Sequence, residues 1–161
     1  MPAGLRYGRM LAPLLGHAAA YARSILRNRQ DAEDAVQQAA LRGLERLDSF
    51  DAERPFKGWW FAILRNCCID RLRAMKAEKT ESLGNHDAPD MSDSETTAWD
   101  RLSTAMAQLS PDHYEILRLR YFGDLSYREM AEALAIAPGT VMSRLHLARK
   151  ALAAKVPVEE P

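Results

Sequence analysis

Residues 126–151 read SYREMAEALAIAPGTVMSRLHLARKA. Ser126-Tyr-Arg-Glu129 matches a capping box, in which the serine and glutamate side chains each bond a backbone N–H at a helix start. The pattern predicts a short helix through Leu134, a turn over Ala135-Ile-Ala-Pro-Gly139, and a longer helix from about Thr140 to Lys155. Projected at about 100° per residue, Val141, Leu145, Ala148 and Leu152 fall within about 60° and form a buried stripe. Met142, Ser143, His146, Leu147 and Lys150 point away, flanked by Arg144 and Arg149. Ala131 supplies a small residue where the two helices cross. This spacing is that of a helix-turn-helix whose second helix lies in a major groove. An ordinary helical hairpin shares the periodicity. The capping box, the turn length and the clean facial split together favour DNA binding.

Upstream, Ser110-Pro111 gives an N-cap followed by proline at the first helical position. That helix carries Tyr114, Leu117, Tyr121 and Phe122, and Gly123 ends it. A preceding helix holds Leu102, Ala105, Met106 and Leu109. Before it the composition changes. Residues 76–100 hold 2 basic and 7 acidic side chains, with glycine, proline and several small polar residues. Such a stretch buries too little apolar surface to offset its ordering entropy and is expected to be a flexible acidic linker. It separates a first domain, residues 1–75, from a second, residues 101–161.

The first domain also shows helical periodicity. One helix is expected from Met10 to Arg29, with Leu14, Ala18, Tyr21 and Ile25 inward. A second follows Asp31, with Val36, Ala40, Leu44 and Leu47 on its apolar face. A third runs from about Phe56 to the Lys76 area and buries Trp60, Ile63, Leu64, Cys67 and Met75. Three such helices can share one core. Arg65, Arg73, Lys76 and Lys79 lie opposite that core face, and Trp59, Trp60 and Phe61 sit beside the Asp51–Gly58 loop. Basic side chains track a phosphate backbone, and aromatic or polar pockets hold unstacked bases. The same pattern also describes a solvated helix surface with a tryptophan in its core.

Charge and composition bound the rest. The chain has 161 residues, 22 basic and 22 acidic, so its formal net charge is zero. That sum hides a net +4 first domain, a net −5 linker and a net +1 second domain. No apolar run approaches the roughly 20 residues that span a bilayer, and no signal-peptide core is present, so a cytoplasmic protein without membrane insertion is expected. Cys67 and Cys68 are adjacent and cannot staple a fold, and no CxxC or spaced His set suggests zinc. Buried packing of both cysteines is favoured over redox sensing. Paired catalytic carboxylates, a nucleophile elbow and a phosphate-cradling glycine loop are all missing, so neither an enzyme, a cofactor nor a metal is expected.

In order, the motifs resemble bacterial RNA polymerase sigma factors of the compact extracytoplasmic-function (ECF) type in the sigma-70 family. The residues that carry the resemblance are Asp31-Ala-Glu-Asp34-Ala-Val-Gln37, Phe50-Asp51, Pro55-Phe-Lys-Gly-Trp59, Arg65-Asn66, Asp70 and Arg73. In the second half they are Leu109-Ser-Pro111, Arg120-Tyr-Phe122, Ser126-Tyr-Arg-Glu-Met-Ala131 and Gly139-Thr-Val-Met-Ser-Arg144. The resemblance implies an all-α fold of two helical domains, a region 2-like three-helix bundle and a region 4-like helix-turn-helix. It implies promoter-specific initiation through −10 and −35 elements. Asp31, Glu33, Asp34, Gln37 and Gln38 would dock on the coiled coil of the polymerase's largest subunit, and the flap would be a second contact. Lys57, Trp59, Arg65, Asn66, Arg73 and Lys76 would hold the melted −10 strand. Ser126, Arg128, Thr140, Met142, Ser143, Arg144, His146, Arg149 and Lys150 would meet the −35 duplex. An anti-sigma partner is implied as well.

The sequence departs from the family at Met142, where a basic residue is usual, and at Leu147, where arginine is frequent. A −35 preference that leans on apolar contact with thymine methyls follows from that departure. Two other readings stay open. One is a sigma-like decoy that occupies an anti-sigma protein. The other is an autonomous helix-turn-helix regulator, although no heptad suggests the dimer it would need.

Overall fold

The computed structural model describes residues 1–81 and 96–156, and every regular element in them is a helix. Helix α1 spans Ala3–Leu11, a 3₁₀ turn spans Ala12–Leu14, and α2 spans Leu15–Leu26. The single helix expected from Met10 therefore starts earlier and is broken at Pro13, whose ring and missing N–H fit the start of a new turn better than a helix interior. Arg27 then takes the left-handed conformation at φ 56°, and α2 ends there instead of at Arg29. Asn28 caps α3 (Arg29–Glu45), accepting from the Asp31 N–H at 3.1 Å. Helix α4 spans Phe56–Glu81.

Helix α3 packs chiefly through small residues beside the expected face, of which Val36, Ala40 and the buried Leu47 just beyond the helix meet the core and only Leu44 turns outward. Ala32, Ala35, Ala39 and Gly43 are inward, Val36 and Ala40 are half-buried, and Leu44 is 45% exposed. The stripe of small residues lets α3 approach α4 closely. At Gly43 an added Cβ would lie 2.4 Å from the Tyr7 hydroxyl and 3.0 Å from Trp60. That hydroxyl cannot move aside freely. It donates to the Ala40 carbonyl at 2.7 Å and accepts from Trp60 Nε1 at 3.0 Å. Trp60 is fully buried at the centre of this network.

The second unit comprises α5 (Thr96–Ala107), α6 (Pro111–Tyr121), α7 (Tyr127–Leu134) and α8 (Pro138–Lys155). Ser110 caps α6 with Pro111 at its first position. Both bonds of the capping box form, Glu129 N–H to Ser126 Oγ at 3.2 Å and Ser126 N–H to Glu129 Oε1 at 2.8 Å. Ala135, at φ 54°, turns the chain from α7 towards α8. Helix α8 buries Val141, Leu145 and Ala148 as expected, with Leu152 partly buried. Tyr121, at the end of α6, is 56% exposed. The expected linker narrows at both ends, because α4 continues to Glu81 and α5 begins at Thr96. Its middle, residues 82–95, lies outside the described residues.

The two units pack on each other through α4 and α7, with α6 reaching α2. Phe61, one residue after Trp60, is fully buried because Tyr21 covers one side of it and the Gly123–Leu125 turn covers another.

Gly43→Ala should lower unfolding free energy by about 1–2 kcal/mol in a urea titration, even though alanine is the better helix former. An unchanged or raised midpoint would show that the α3–α4 contact can relax.

Candidate functional site

Three surfaces carry the expected functional residues. The first is the outer side of α3. Glu33, Asp34, Gln37 and Gln38 are all exposed along it. Arg29 pairs with Glu33 at 3.0 Å and Gln30 donates to Asp34 at 3.0 Å, both one turn apart on the same helix. Asp31 differs from the rest of the set. It is half-buried and accepts from Arg71 Nε at 2.9 Å and Nη2 at 2.7 Å, so it ties α3 to α4. That bond also raises the Arg71 pKa. The same stripe continues into Leu41, which is 59% exposed and sits one turn beyond Gln37 and Gln38. Leu41 was not singled out from the sequence. The small residues at 32, 35, 39 and 43 could have found it, because they fix the opposite face as the buried one.

The second surface is the 51–57 loop and the start of α4. Asp51 folds the loop, its carboxylate accepting from the Glu53 N–H at 3.0 Å and its carbonyl from the Arg54 N–H at 2.9 Å. Trp59 is half-buried with its ring centroid 4.9 Å from Phe50 and 5.8 Å from Phe56. It therefore braces the loop and does not stand free to stack on a base. Asn66, Arg73 and Lys76 are exposed along α4. Lys57 and Arg65 are turned to the other unit. Lys57 Nζ donates to the Asp124 carbonyl at 2.8 Å, and Arg65 Nε lies 3.3 Å from Glu115 Oε1.

The third surface is the outer side of α8. Thr140, Met142, Ser143, His146 and Lys150 are exposed and Arg144 is half-buried. Met142 and Leu147 are 57% and 53% exposed. Arg149 is exposed and donates from Nε to the Tyr121 hydroxyl at 2.8 Å. That bond raises its pKa and anchors the guanidinium at the back edge of the face. Ser126 spends its hydroxyl on the capping box. Arg128 donates from Nη2 to the Glu53 carbonyl at 3.0 Å, across the boundary between the units. Neither Ser126 nor Arg128 lies free beside α8 in this arrangement.

Between the units sits a nearly enclosed polar cluster. The Glu115 side chain, 14% exposed, is its centre. Its Oε1 accepts from the Tyr21 hydroxyl at 2.5 Å and faces Arg65, and its Oε2 lies 3.9 Å from Arg118 Nη1. The Arg118 guanidinium stacks 3.4 Å from the Tyr114 ring centroid. Arg65 Nε and Arg118 Nε are buried and make no hydrogen bond. Tyr21 and Arg65 belong to the first unit, Glu115 and Arg118 to the second. Burial and the nearby carboxylate push the Tyr21 pKa well up.

Both cysteines are buried. Burial, with Cys67 and Glu115 nearby, pushes the Cys68 thiol up to about 12, and burial also raises Cys67. Such thiols present almost no thiolate at neutral pH. Among the described residues, no group of three or more His, Cys, Asp or Glu side chains could hold a metal ion. No helix of the described residues is long and apolar enough to cross a membrane.

Comparison with known proteins matches both halves. The sigma-70 region 2 family model fits residues 10–78 and the sigma-70 region 4 model fits residues 99–152. The chain is 37% identical over 145 residues to the ECF RNA polymerase sigma factor SigL of Mycobacterium tuberculosis, covering 84% of this chain and 82% of SigL. It is 34% identical over 143 residues to the ECF RNA polymerase sigma factor SigW of Bacillus subtilis, covering 80% and 76%. Two solved structures share the fold. The sigma factor RpoE in complex with the anti-sigma factor NepR, from Bartonella quintana, gives a TM-score of 0.71 at 27% identity over 96% of this chain and 99% of that one. CnrH in complex with the cytosolic domain of CnrY gives 0.71 at 25% identity over 96% and 89%.

The raised Cys68 pKa has a definite sign for stability. Below the ordinary thiol value of 9.0 the group is protonated folded or unfolded. Between 9.0 and about 12 only the unfolded chain ionises, so stability should fall as pH rises through that window. Cys68→Ala should flatten the fall in urea midpoint measured from pH 8 to 10.5. Native protein at pH 8 should also resist iodoacetamide that labels the unfolded chain readily. Rapid labelling of the native thiols would show that they are reactive after all.

Proposed function

Since the chain belongs to the ECF sigma factors of the sigma-70 family, which direct promoter-specific transcription initiation, we propose that its three exposed surfaces divide that task. The outer side of α3 docks core polymerase through Glu33, Asp34, Gln37, Gln38 and Leu41. An acidic and amide stripe with one exposed leucine suits a partner helix surface that combines basic and apolar side chains. The 51–57 loop with Asn66, Arg73 and Lys76 takes the non-template −10 strand, and Lys57 and Arg65 join it once the units separate. Helix α8 enters the major groove at the −35 element, with Thr140, Met142, Ser143, Arg144 and His146 nearest the bases and Lys150 at a phosphate. Arg149, held by Tyr121, contributes positive potential at the edge of that groove. Asp31 serves the docking face by fixing α3 on α4 and not by touching the polymerase.

What carries this reading is the presence of both units in one chain, each with a polar face left open opposite its core. The first half without the second would lack a duplex reader. The second without the first would lack a polymerase dock. The solved RpoE structure is a complex with the anti-sigma factor NepR, which supports an anti-sigma partner for this chain too. A polymerase subunit of this kind works in the cytoplasm and needs no cofactor of its own.

Run-off transcription with core polymerase on a promoter library tests the whole assignment. Added protein should select a limited set of promoters. Failure to initiate at any promoter, with core binding intact, would favour the decoy reading. Asp34→Arg should weaken core binding on the order of tenfold, as reversal of an interface charge does, and Gln37→Ala should weaken it less. Unchanged affinity in both would move the dock elsewhere.

Exposed Met142 and Leu147 generate a second test, because an apolar side chain in the major groove meets the thymine methyl. In selected promoters, deoxyuridine in place of thymidine across the −35 element removes only methyl groups. Initiation should fall by about fourfold per contacted methyl, at ~0.8 kcal/mol each. Met142→Ala should blunt that loss. Full activity on the deoxyuridine templates would dismiss methyl recognition while leaving the −35 assignment standing.

A further inference from the structure

Sulfur is displayed unevenly in this chain. Cys67 and Cys68 are both buried, and burial keeps their thiols protonated at neutral pH. Among the described methionines, Met106 and Met130 are buried, and Met10 and Met75 are half-buried against the core. Of that set only Met1 and Met142 are exposed, at 71% and 57%. Met1 precedes α1, in the other unit. Met142 stands on the outer face of α8, with exposed Gly139 one turn before it and exposed His146 one turn after. A helical side chain leans over the turn that precedes it. For Met142 that turn holds Gly139, which has no side chain, and even a Cβ built there would find nothing within 4 Å. The thioether is therefore open to solvent on the surface assigned to the −35 duplex.

We propose that Met142 is an oxidation site, at which a peroxide converts the thioether to the sulfoxide and so weakens −35 reading reversibly. The step balances without a cofactor. A sulfur lone pair attacks one oxygen of hydrogen peroxide, an S–O bond forms and the O–O bond breaks. The departing hydroxide takes the proton of the transferred hydroxyl and leaves as water. Sulfur gives up two electrons and the peroxide takes them. A thioether has no proton to lose, so the reaction needs no thiolate-stabilising surroundings of the kind a reactive cysteine requires. The product carries a polar oxygen where the side chain was apolar. Facing a thymine methyl, the sulfoxide loses the apolar contact and leaves its oxygen without a donor. Reduction by a methionine sulfoxide reductase, with two thiols oxidised to a disulfide, releases that oxygen as water and restores the thioether. Leucine at this position would offer the duplex an apolar contact with no sulfur to oxidise, so the thioether is what makes the contact switchable.

The switch rests on the −35 assignment of α8, and the choice of templates separates the two. Full-length protein is treated with hydrogen peroxide alone, the peroxide is removed with catalase, and core polymerase is added only then. Peptide mass mapping follows the gain of one oxygen at each methionine, and circular dichroism checks the fold. Run-off transcription is read on a promoter recovered from the library and on the same promoter with its −35 element scrambled. Met142 should convert before Met106 and Met130. Initiation on the intact promoter should fall about fourfold, the factor for one lost methyl contact. It should return after treatment with the pair of reductases that act on the two sulfoxide epimers. Met142→Leu is scored by its oxidised activity against its own untreated activity, whatever that starting level, and peroxide should not change it. Met142→Gln, which puts a polar amide at the same place, should start low and respond to neither peroxide nor reductase. Oxidation of the core methionines ahead of Met142 would overturn the site. A Met142→Leu protein that loses activity as steeply as wild type would overturn it too, by placing the damage elsewhere. Met142 sulfoxide with undiminished initiation on the intact promoter would overturn the switch and leave the −35 assignment standing. Equal initiation by untreated protein on the intact and scrambled templates would overturn the −35 assignment and the switch with it.

Discussion

Adjacent aromatic residues near the start of α4 hold the molecule together from two directions. Trp60 and Phe61 are both fully buried, yet they point about a quarter turn apart and meet different neighbours. Trp60 joins the first unit internally, through its indole N–H to Tyr7 and the close approach of Gly43. Phe61 meets Tyr21 on its own side and the Gly123–Leu125 turn of the other unit. One helix thus serves as the core of a four-helix unit and as the floor on which the second unit rests. The positions of the 51–57 loop, Arg65 and the α7 dock all follow from that double burial.

The polar cluster around Glu115 does not bind the units in the way this apolar seam does. Buried ion pairs seldom add net stability, because desolvating the charges offsets their attraction. Two arginine nitrogens in the cluster are buried without hydrogen bonds, which weakens the case further. Its role is better described as selective. Water can replace each contact, so the seam is matched in geometry without being strongly held. Tyr21 is more restrictive, since its hydroxyl is buried beside a carboxylate and is kept protonated by that setting.

Much of this was legible in the sequence. The capping box, the Ser110-Pro111 start and the stripe of Val141, Leu145 and Ala148 are local signals, and the structure places all of them as read. The errors come from tertiary context. Helical spacing puts Leu44 on the apolar face with Val36 and Ala40, yet it turns outward because α3 packs through alanine and glycine and approaches Trp60 closely. Proline 13 breaks a helix whose apolar pattern continues through it. Arg65, Arg128 and Lys57 read as free cations because their partners lie 50 to 75 residues away in the chain, beyond any periodicity. For the same reason Glu115 had no signal at all. It is one acidic residue on an amphipathic helix, and only the packing of the two units gives it neighbours.

The uneven exposure of the surfaces has a consequence for traffic among many chains and one chromosome. A duplex genome offers an enormous excess of nonspecific sites, and a protein with all its cations displayed would spend its time there. In this chain Lys57 and Arg65 of α4 are occupied by a carbonyl and a carboxylate of its own second unit. The nonspecific pull of a duplex on the free chain is therefore set by the cations left exposed on α8 and the far part of α4, and it is weaker than the count of 22 basic residues suggests.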